Sequence, residues 1–162
     1  MRPVSERFAP DMLARFDALR REYPPEMAPS RVLPLLHCVQ DAQGHVTEAD
    51  AVAIAGYLGM PPIQVVEALT WYSMFEREPT GRHVIRVCRN IACSLRGAEG
   101  IIAHLEQRLG IRVGETTPDG RFTLQTVECL ASCGTSPAMQ VGRTYHEHLD
   151  VTKVDQILKV LL

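Results

Sequence analysis

From Asp11 to Tyr23 the apolar residues Met12, Leu13, Phe16 and Leu19 recur every three or four positions, which predicts a helix with one buried face that ends at Pro24-Pro25. Ser30 is placed to cap a second helix, Arg31 to about Gln40, carrying Val32, Leu33, Leu35, Leu36 and Val39. Pro34 sits early enough in it to forfeit little hydrogen bonding. Asp41-Ala-Gln-Gly44 reads as a turn, and Thr47-Glu-Ala-Asp50 as a capping box that opens a third helix from Glu48 to Leu58, closed by Gly59. Pro61-Pro62 start a fourth helix with Val65, Val66, Leu69, Trp71, Tyr72 and Phe75; the three aromatics are expected in the core, the alternative being an aromatic exposed at the end of the bundle that serves a partner surface. Short helices are marginal alone, so four of them joined by brief loops predict a small bundle.

Beyond Pro79-Thr80-Gly81 the periodicity changes, which places a boundary between a helical domain, 1–80, and a second domain, 81–162. The β-branched run His83-Val-Ile-Arg-Val87 predicts a strand leading directly into Cys88. A helix from about Ser94 to Leu109 follows, stopped by Gly110. Thr117-Pro-Asp-Gly120 is a turn, Phe122 to Val127 a strand ending near Cys129, and Ala138 to Val141 with Thr144-Tyr145 a hairpin through Gly142-Arg143. Val151 to Leu162 closes the chain as a helix. The order predicts an α+β fold class: a helical bundle, then a small α/β domain with helices packed on a mostly β layer.

Charge narrows the function. Seventeen Lys and Arg against nineteen Asp and Glu give a formal charge of -2, so no net positive field gathers phosphate backbones and no nucleic acid partner is expected. No apolar run approaches the ~20 residues that span a bilayer, so no direct membrane insertion is expected. The opening residues Met1-Arg-Pro-Val-Ser-Glu-Arg-Phe lack an apolar leader core, which points to a cytoplasmic protein. Five cysteines in a reducing compartment are read as metal, cluster or catalytic residues rather than as a disulfide framework.

Four of them form two pairs, Cys88-x4-Cys93 and Cys129-x3-Cys133, each just after a predicted strand. Loops at the same end of neighbouring strands would bring four thiolates around one centre, and the wide spacing fits a [2Fe–2S] cluster. A four-cysteine structural zinc site, in an interaction module without redox role, is the alternative that spacing leaves open. Arg86, Arg89 and Arg96 flank the first pair and would offset the charge of an anionic centre, aided by the N-terminus of the helix expected near Ser94. Cys38 lies in an apolar helical stretch and reads as core. His146-Glu-His148 is the only close histidine pair and reads as solvated. No Gly-rich phosphate motif follows a strand, so no nucleotide site is expected in this chain.

Cys88-Arg-Asn-Ile-Ala-Cys93-Ser-Leu-Arg-Gly97, Gly114-Glu-Thr-Thr-Pro-Asp-Gly120 and Glu128-Cys-Leu-Ala-Ser-Cys133-Gly-Thr-Ser-Pro137 resemble the thioredoxin-like [2Fe–2S] subunit (the 24 kDa or E subunit) of bacterial NADH:quinone oxidoreductase, respiratory complex I. Upstream, Leu33-Pro-Leu-Leu-His37, Tyr57-Leu-Gly-Met-Pro-Pro62 and Trp71-Tyr-Ser-Met-Phe75 extend the resemblance over nearly the whole chain. It implies a thioredoxin-like second domain with Cys88, Cys93, Cys129 and Cys133 as ligands of one binuclear cluster. It also implies a flavoprotein partner that holds FMN and NADH, and a helical domain that helps dock to it. The parent assembly would be a larger respiratory or diaphorase complex, peripheral at the inner face of the cell membrane. The resemblance extends to the equivalent subunits of NAD-linked hydrogenases and NAD-dependent formate dehydrogenases. A free-standing ferredoxin carrier is disfavoured by the helical half. Two departures from the family pattern stand out: Ala92 where proline is usual, and Ala131-Ser132 where Gly-Ala is usual. A glycine in that loop serves either a positive φ or close approach to the cluster, and close approach is the expected need at Ala131.

Overall fold

In the computed structural model, which describes residues 4–161, apolar periodicity and caps build two compact units, one running to Pro79 and the other starting at Thr80. Leu162, the expected end of the last helix, lies outside the described residues. The first unit comprises α1 (Val4–Arg7), α2 (Pro10–Arg21), α3 (Val32–Gln43), α4 (Glu48–Leu58) and α5 (Pro62–Trp71). Phe16, Leu35, Leu36, Val39, Ile54 and Val65 are its fully buried centre.

Three sequence expectations shift here. Pro25–Arg31 is 3₁₀ in two short pieces kinked at Met27, the second leading into α3 behind Arg31, so Ser30 is not its cap. That helix continues through Asp41 to Gln43, and Gly44 at φ +82° terminates it, making the expected turn its last turn. Phe75 is buried, but Trp71 is 81% and Tyr72 47% exposed. The buried stripe of α5 is Val65 and Leu69, four residues apart, and Trp71 stands two positions further on, which turns it away from that face.

The capping box of α4 forms as predicted, with the Thr47 hydroxyl accepting from the Asp50 amide and the Asp50 carboxylate accepting from the Thr47 amide at 2.9 Å. Asp50 is fully buried, and it also accepts from Arg7 Nε at 2.6 Å and Gln43 Nε2 at 2.8 Å, tying α1, α3 and α4 together. Burial acts to raise its pKa, but the bonds from Arg7, Thr47 and Gln43 outweigh it and hold the carboxyl below the usual range. The stability it contributes is therefore fully present above about pH 4, the unfolded value, and is lost as pH falls through the depressed native value. Asp50→Asn is expected to be less stable than the parent at neutral pH, with the gap closing on acidification. Urea unfolding at pH 7 and below pH 3 measures both, and a gap independent of pH would contradict the assignment.

The second unit comprises β1 (His83–Cys88), α6 (Ile91–Leu95), α7 (Ala98–Leu109), β2 (Phe122–Val127), β3 (Met139–Val141), β4 (Thr144–His146) and α8 (Val151–Leu161). Its sheet order is β2-β1-β3-β4, parallel between β1 and β2 and antiparallel elsewhere. A parallel pair needs a crossover, which α6 and α7 supply. Ile85, Val87, Phe122, Leu124, Met139 and Val141 alternate onto one face of the sheet and pack with Ile101 and Leu105 of α7 and Val154 and Leu158 of α8. The single helix expected over 94–109 is two helices, because Gly97 at φ +93° breaks the chain between α6 and α7. Among the described residues no helix is long and apolar enough to cross a membrane.

Candidate metal centre

Parallel pairing of β1 and β2 decides where the cysteines meet. Cys88 is the last residue of β1 and is in register with Val127, the last of β2, so both strands deliver their following loops to the same edge. The Arg89 amide donates to Val127 O at 3.0 Å, and the Cys88 Sγ approaches Glu128 O at 4.0 Å. Cys129 follows two residues after β2 and Cys133 opens a 3₁₀ turn, Cys133–Thr135. All five cysteines carry free thiols.

The first pair is internal. Cys93 lies inside α6, whose N-terminus is capped by Asn90 Oδ1 accepting from the Ile91 amide at 2.9 Å. The chain therefore turns into the helix at Asn90, and Cys93 does not sit before a helix N-terminus as the Ser94 start had implied. Cys88 and Cys93 are buried with Ala98, Leu130 and Ala138. Burial pushes the Cys93 thiol pKa up and the neighbouring Cys88 thiol adds to this, while the Ala138 amide works in the opposite direction by donating to the sulfur. Cys133 is also within electrostatic reach of Cys93. The second pair, Cys129 and Cys133, is exposed.

This arrangement can take a binuclear cluster. It offers four soft thiolate donors in an inner and an outer pair, an apolar floor beneath the inner pair, and backbone amides at a sulfur of each. The Ala131 amide lies 3.3 Å from Cys129 Sγ, and the Ala138 amide donates to Cys93. A lone zinc ion would gather four sulfurs to about 3.8 Å from one another, as Zn–S bonds of about 2.3 Å in a tetrahedron require.

The flanking arginines differ from the sequence expectation. Arg89 is exposed and engages Glu128 in an ion pair, so its charge is locally offset. Arg86 is buried on β1, in register with Gln125 and Gln140 of the neighbouring strands. Cys38 is buried in the core of the helical unit. Of the histidine pair, only His146 lies in a strand, and His148 follows in a left-handed conformation at φ +47°. The sequence reading missed the Asn90 cap and the Gly97 break, although asparagine before a helix and glycine after one are the signals for both.

Ala131 adopts φ +58°, the left-handed region that alanine disfavours. The structure thus displays the positive φ, and the close approach expected from sequence is compatible with it, since the Ala131 amide lies against Cys129 Sγ. Ala131→Gly is expected to relieve roughly 1 kcal/mol of strain and to raise the melting temperature of this unit by about 4–8 °C. An unchanged melting temperature with a shifted redox potential would make close approach the dominant need instead.

Relatives of the chain bear on the centre. A family model described as thioredoxin-like [2Fe–2S] ferredoxin matches residues 16–162. The chain is 42% identical over 148 residues to the E 2 subunit of NADH-quinone oxidoreductase from Rhizobium meliloti (strain 1021), covering 91% of this chain and 87% of that one. It is 41% identical over 121 residues to NADH-quinone oxidoreductase subunit 2 of Thermus thermophilus, covering 75% and 67%. Among solved structures, NAD+-reducing [NiFe]-hydrogenase in the air-oxidized state superposes with a TM-score of 0.68 at 19% identity, over 80% of this chain and 22% of that one. At that identity the likeness shows the fold, and the chain spans about a fifth of the hydrogenase chain it matches.

Proposed function

Because the chain belongs to the thioredoxin-like [2Fe–2S] ferredoxin family, we propose that it is the electron-transfer subunit of an NADH-quinone oxidoreductase, holding one [2Fe–2S] cluster on Cys88, Cys93, Cys129 and Cys133. The observation that carries this reading is the delivery of both cysteine pairs to the adjacent C-terminal ends of parallel β1 and β2, within the matched region. The relatives at 41–42% identity are named as subunits of that complex, which favours it over the hydrogenase and formate dehydrogenase assemblies.

Such a cluster supplies a site that takes and releases one electron at a time, whereas a hydride delivers two to a flavin. The residues of the chain divide the remaining work. Cys88 and Cys93 with Leu130 and Ala138 hold the inner side away from water. Cys129 and Cys133 present the outer side at the surface, where a partner's FMN can come near. Ile91 and Leu95, 72% and 82% exposed on one face of α6, the helix that holds Cys93, offer an apolar contact for that partner. The flavoprotein would bind NADH and FMN, and this chain would be attached to the membrane only through the parent complex.

The test is reconstitution. The isolated chain should not oxidise NADH, and adding the FMN-containing flavoprotein with NADH should reduce its cluster. NADH turnover by this chain alone would refute the division of roles. Residues 81–162, expressed alone, should retain the cluster and bind the flavoprotein less tightly than the full chain. Unchanged affinity would remove the docking role from the helical domain.

A further inference from the structure

The outer pair poses a problem that the inner pair does not. Cys129 and Cys133 sit on an exposed loop whose one regular feature is a single 3₁₀ turn, and Leu130 is its buried apolar anchor. A loop of that kind is mobile unless hydrogen bonds hold it. Resting on the cluster assignment above, we propose that Glu147 is a positioning residue for the cluster, its carboxylate fastening the loop that carries Cys133 to the segment after β4.

Thr135, two residues past Cys133, is the point of attachment. Its hydroxyl donates to Glu147 Oε1 at 2.5 Å, and its carbonyl accepts from the His148 amide at 2.6 Å. Leu149 N donates to Pro137 O at 3.1 Å, so residues 147–149 run along 135–137 as a strap. Ser132, immediately before Cys133, turns its hydroxyl to the Leu130 carbonyl at 3.4 Å and lies near enough to the Glu147 carboxylate to help lower its pKa. The carboxylate is thus bonded two residues past the ligand, with Ser132 close by on the ligand's other side. On the Cys133 side, Ser136 Oγ donates to the Cys133 carbonyl at 3.0 Å.

The strap is itself anchored. Lys153 Nζ, from the first turn of α8, donates to the Glu147 carbonyl at 2.6 Å, and the Lys153 amide donates to Asp150 Oδ1 at 2.7 Å. His148 holds φ +47°, a conformation that persists in a non-glycine residue only where its surroundings over-determine it. The Thr135 and Ser132 hydroxyls keep the Glu147 carboxyl below its usual pKa range, so it is an ionised acceptor at neutral pH. A carboxylate near an anionic cluster gains nothing from electrostatics. Its contribution is as a hydrogen-bond acceptor that shapes the loop.

Acceptor and charge can be separated. Glu147→Gln keeps an oxygen for Thr135 but removes the charge, Glu147→Ala removes both, and Thr135→Val removes the donor at the other end. In the full-length chain, purified without oxygen, two readouts apply: the rate at which an iron chelator bleaches the visible spectrum, and the EPR line shape after dithionite reduction. Glu147→Ala and Thr135→Val are expected to bleach about tenfold faster than the parent, with broadened EPR lines. Glu147→Gln is expected to stay within about twofold of the parent in rate and to keep its line shape. Parental behaviour of both Glu147→Ala and Thr135→Val would overturn the proposal, and so would a Glu147→Gln variant as labile as Glu147→Ala. If Glu147→Ala does not fold, the comparison of Thr135→Val with Glu147→Gln decides it. A parent chain that holds no cluster would overturn the cluster assignment itself, and this inference with it.

Discussion

Serine at any one of Cys88, Cys93, Cys129 or Cys133 is expected to strip most of the cluster from the purified chain, whereas Cys38→Ser leaves it in place. A serine hydroxyl is a poorer donor to iron than a thiolate, and a cluster with four protein ligands has none to spare. The four variants should also differ from one another. Cys88 and Cys93 are buried among Ala98, Leu130 and Ala138, so a hydroxyl there adds a burial cost of about 1–3 kcal/mol to the apoprotein. Cys129 and Cys133 are exposed, and their replacement should remove the cluster with little effect on apoprotein stability. Cys38→Ser should destabilise the helical unit, in whose core Cys38 is packed, without changing the iron content. Iron analysis and a thermal melt of each variant measure the two quantities separately. Full iron in Cys129→Ser or Cys133→Ser would exclude that residue from the ligand set.

Gly81→Ala is expected to cost about 3 kcal/mol or more in the second unit. A Cβ there would stand 2.8 Å from the carbonyl carbon of Phe122 and 2.9 Å from its amide nitrogen, and backbone cannot swing aside as a side-chain tip can. The contact is held from both sides. Gly81 N donates to Thr123 Oγ1 at 2.7 Å, and the next residues join the turn before β2 through Arg82 N to Gly120 O and His83 N to Arg121 O. Relief of the clash has to loosen the start of the β1–β2 pairing, whose far end carries Cys88. At several degrees per kcal/mol for a unit of this size, the melting temperature should fall by more than about 10 °C. Gly100→Ala is the control, because nothing lies within 4 Å of its Cβ position and α7 gains a better helix former. Equal melting temperatures for parent and Gly81→Ala would contradict the close approach.

The parts legible in the sequence were those set by local chemistry. The Thr47 capping box, the glycine at 59 and the β-branched run of β1 all concern neighbours in the chain, and each has one dominant physical solution. The cysteine pairs were legible because each follows a strand, and the parallel pairing of β1 and β2 makes those positions adjacent. What escaped was set by tertiary context. Whether Trp71 is covered depends on where the buried stripe of α5 points, and hydrophobicity alone placed it in the core. The glycine at 97 was read through because apolar residues on both sides continue a helical spacing across it. Glu147 left no local signal, since its partner Thr135 lies more than ten residues away in sequence. The positive φ of Ala131 is one of the two uses a glycine serves there, and it takes the backbone angle to show it.

The central claim is that these four cysteines hold one redox-active binuclear cluster. The most direct measurement is EPR spin quantification of the full-length chain, purified without oxygen and reduced with dithionite, with iron and acid-labile sulfide determined on the same sample. The account predicts two irons and two sulfides per chain, and a single unpaired spin that appears on reduction and vanishes on reoxidation. One zinc per chain, with no iron and no spin signal, would contradict it.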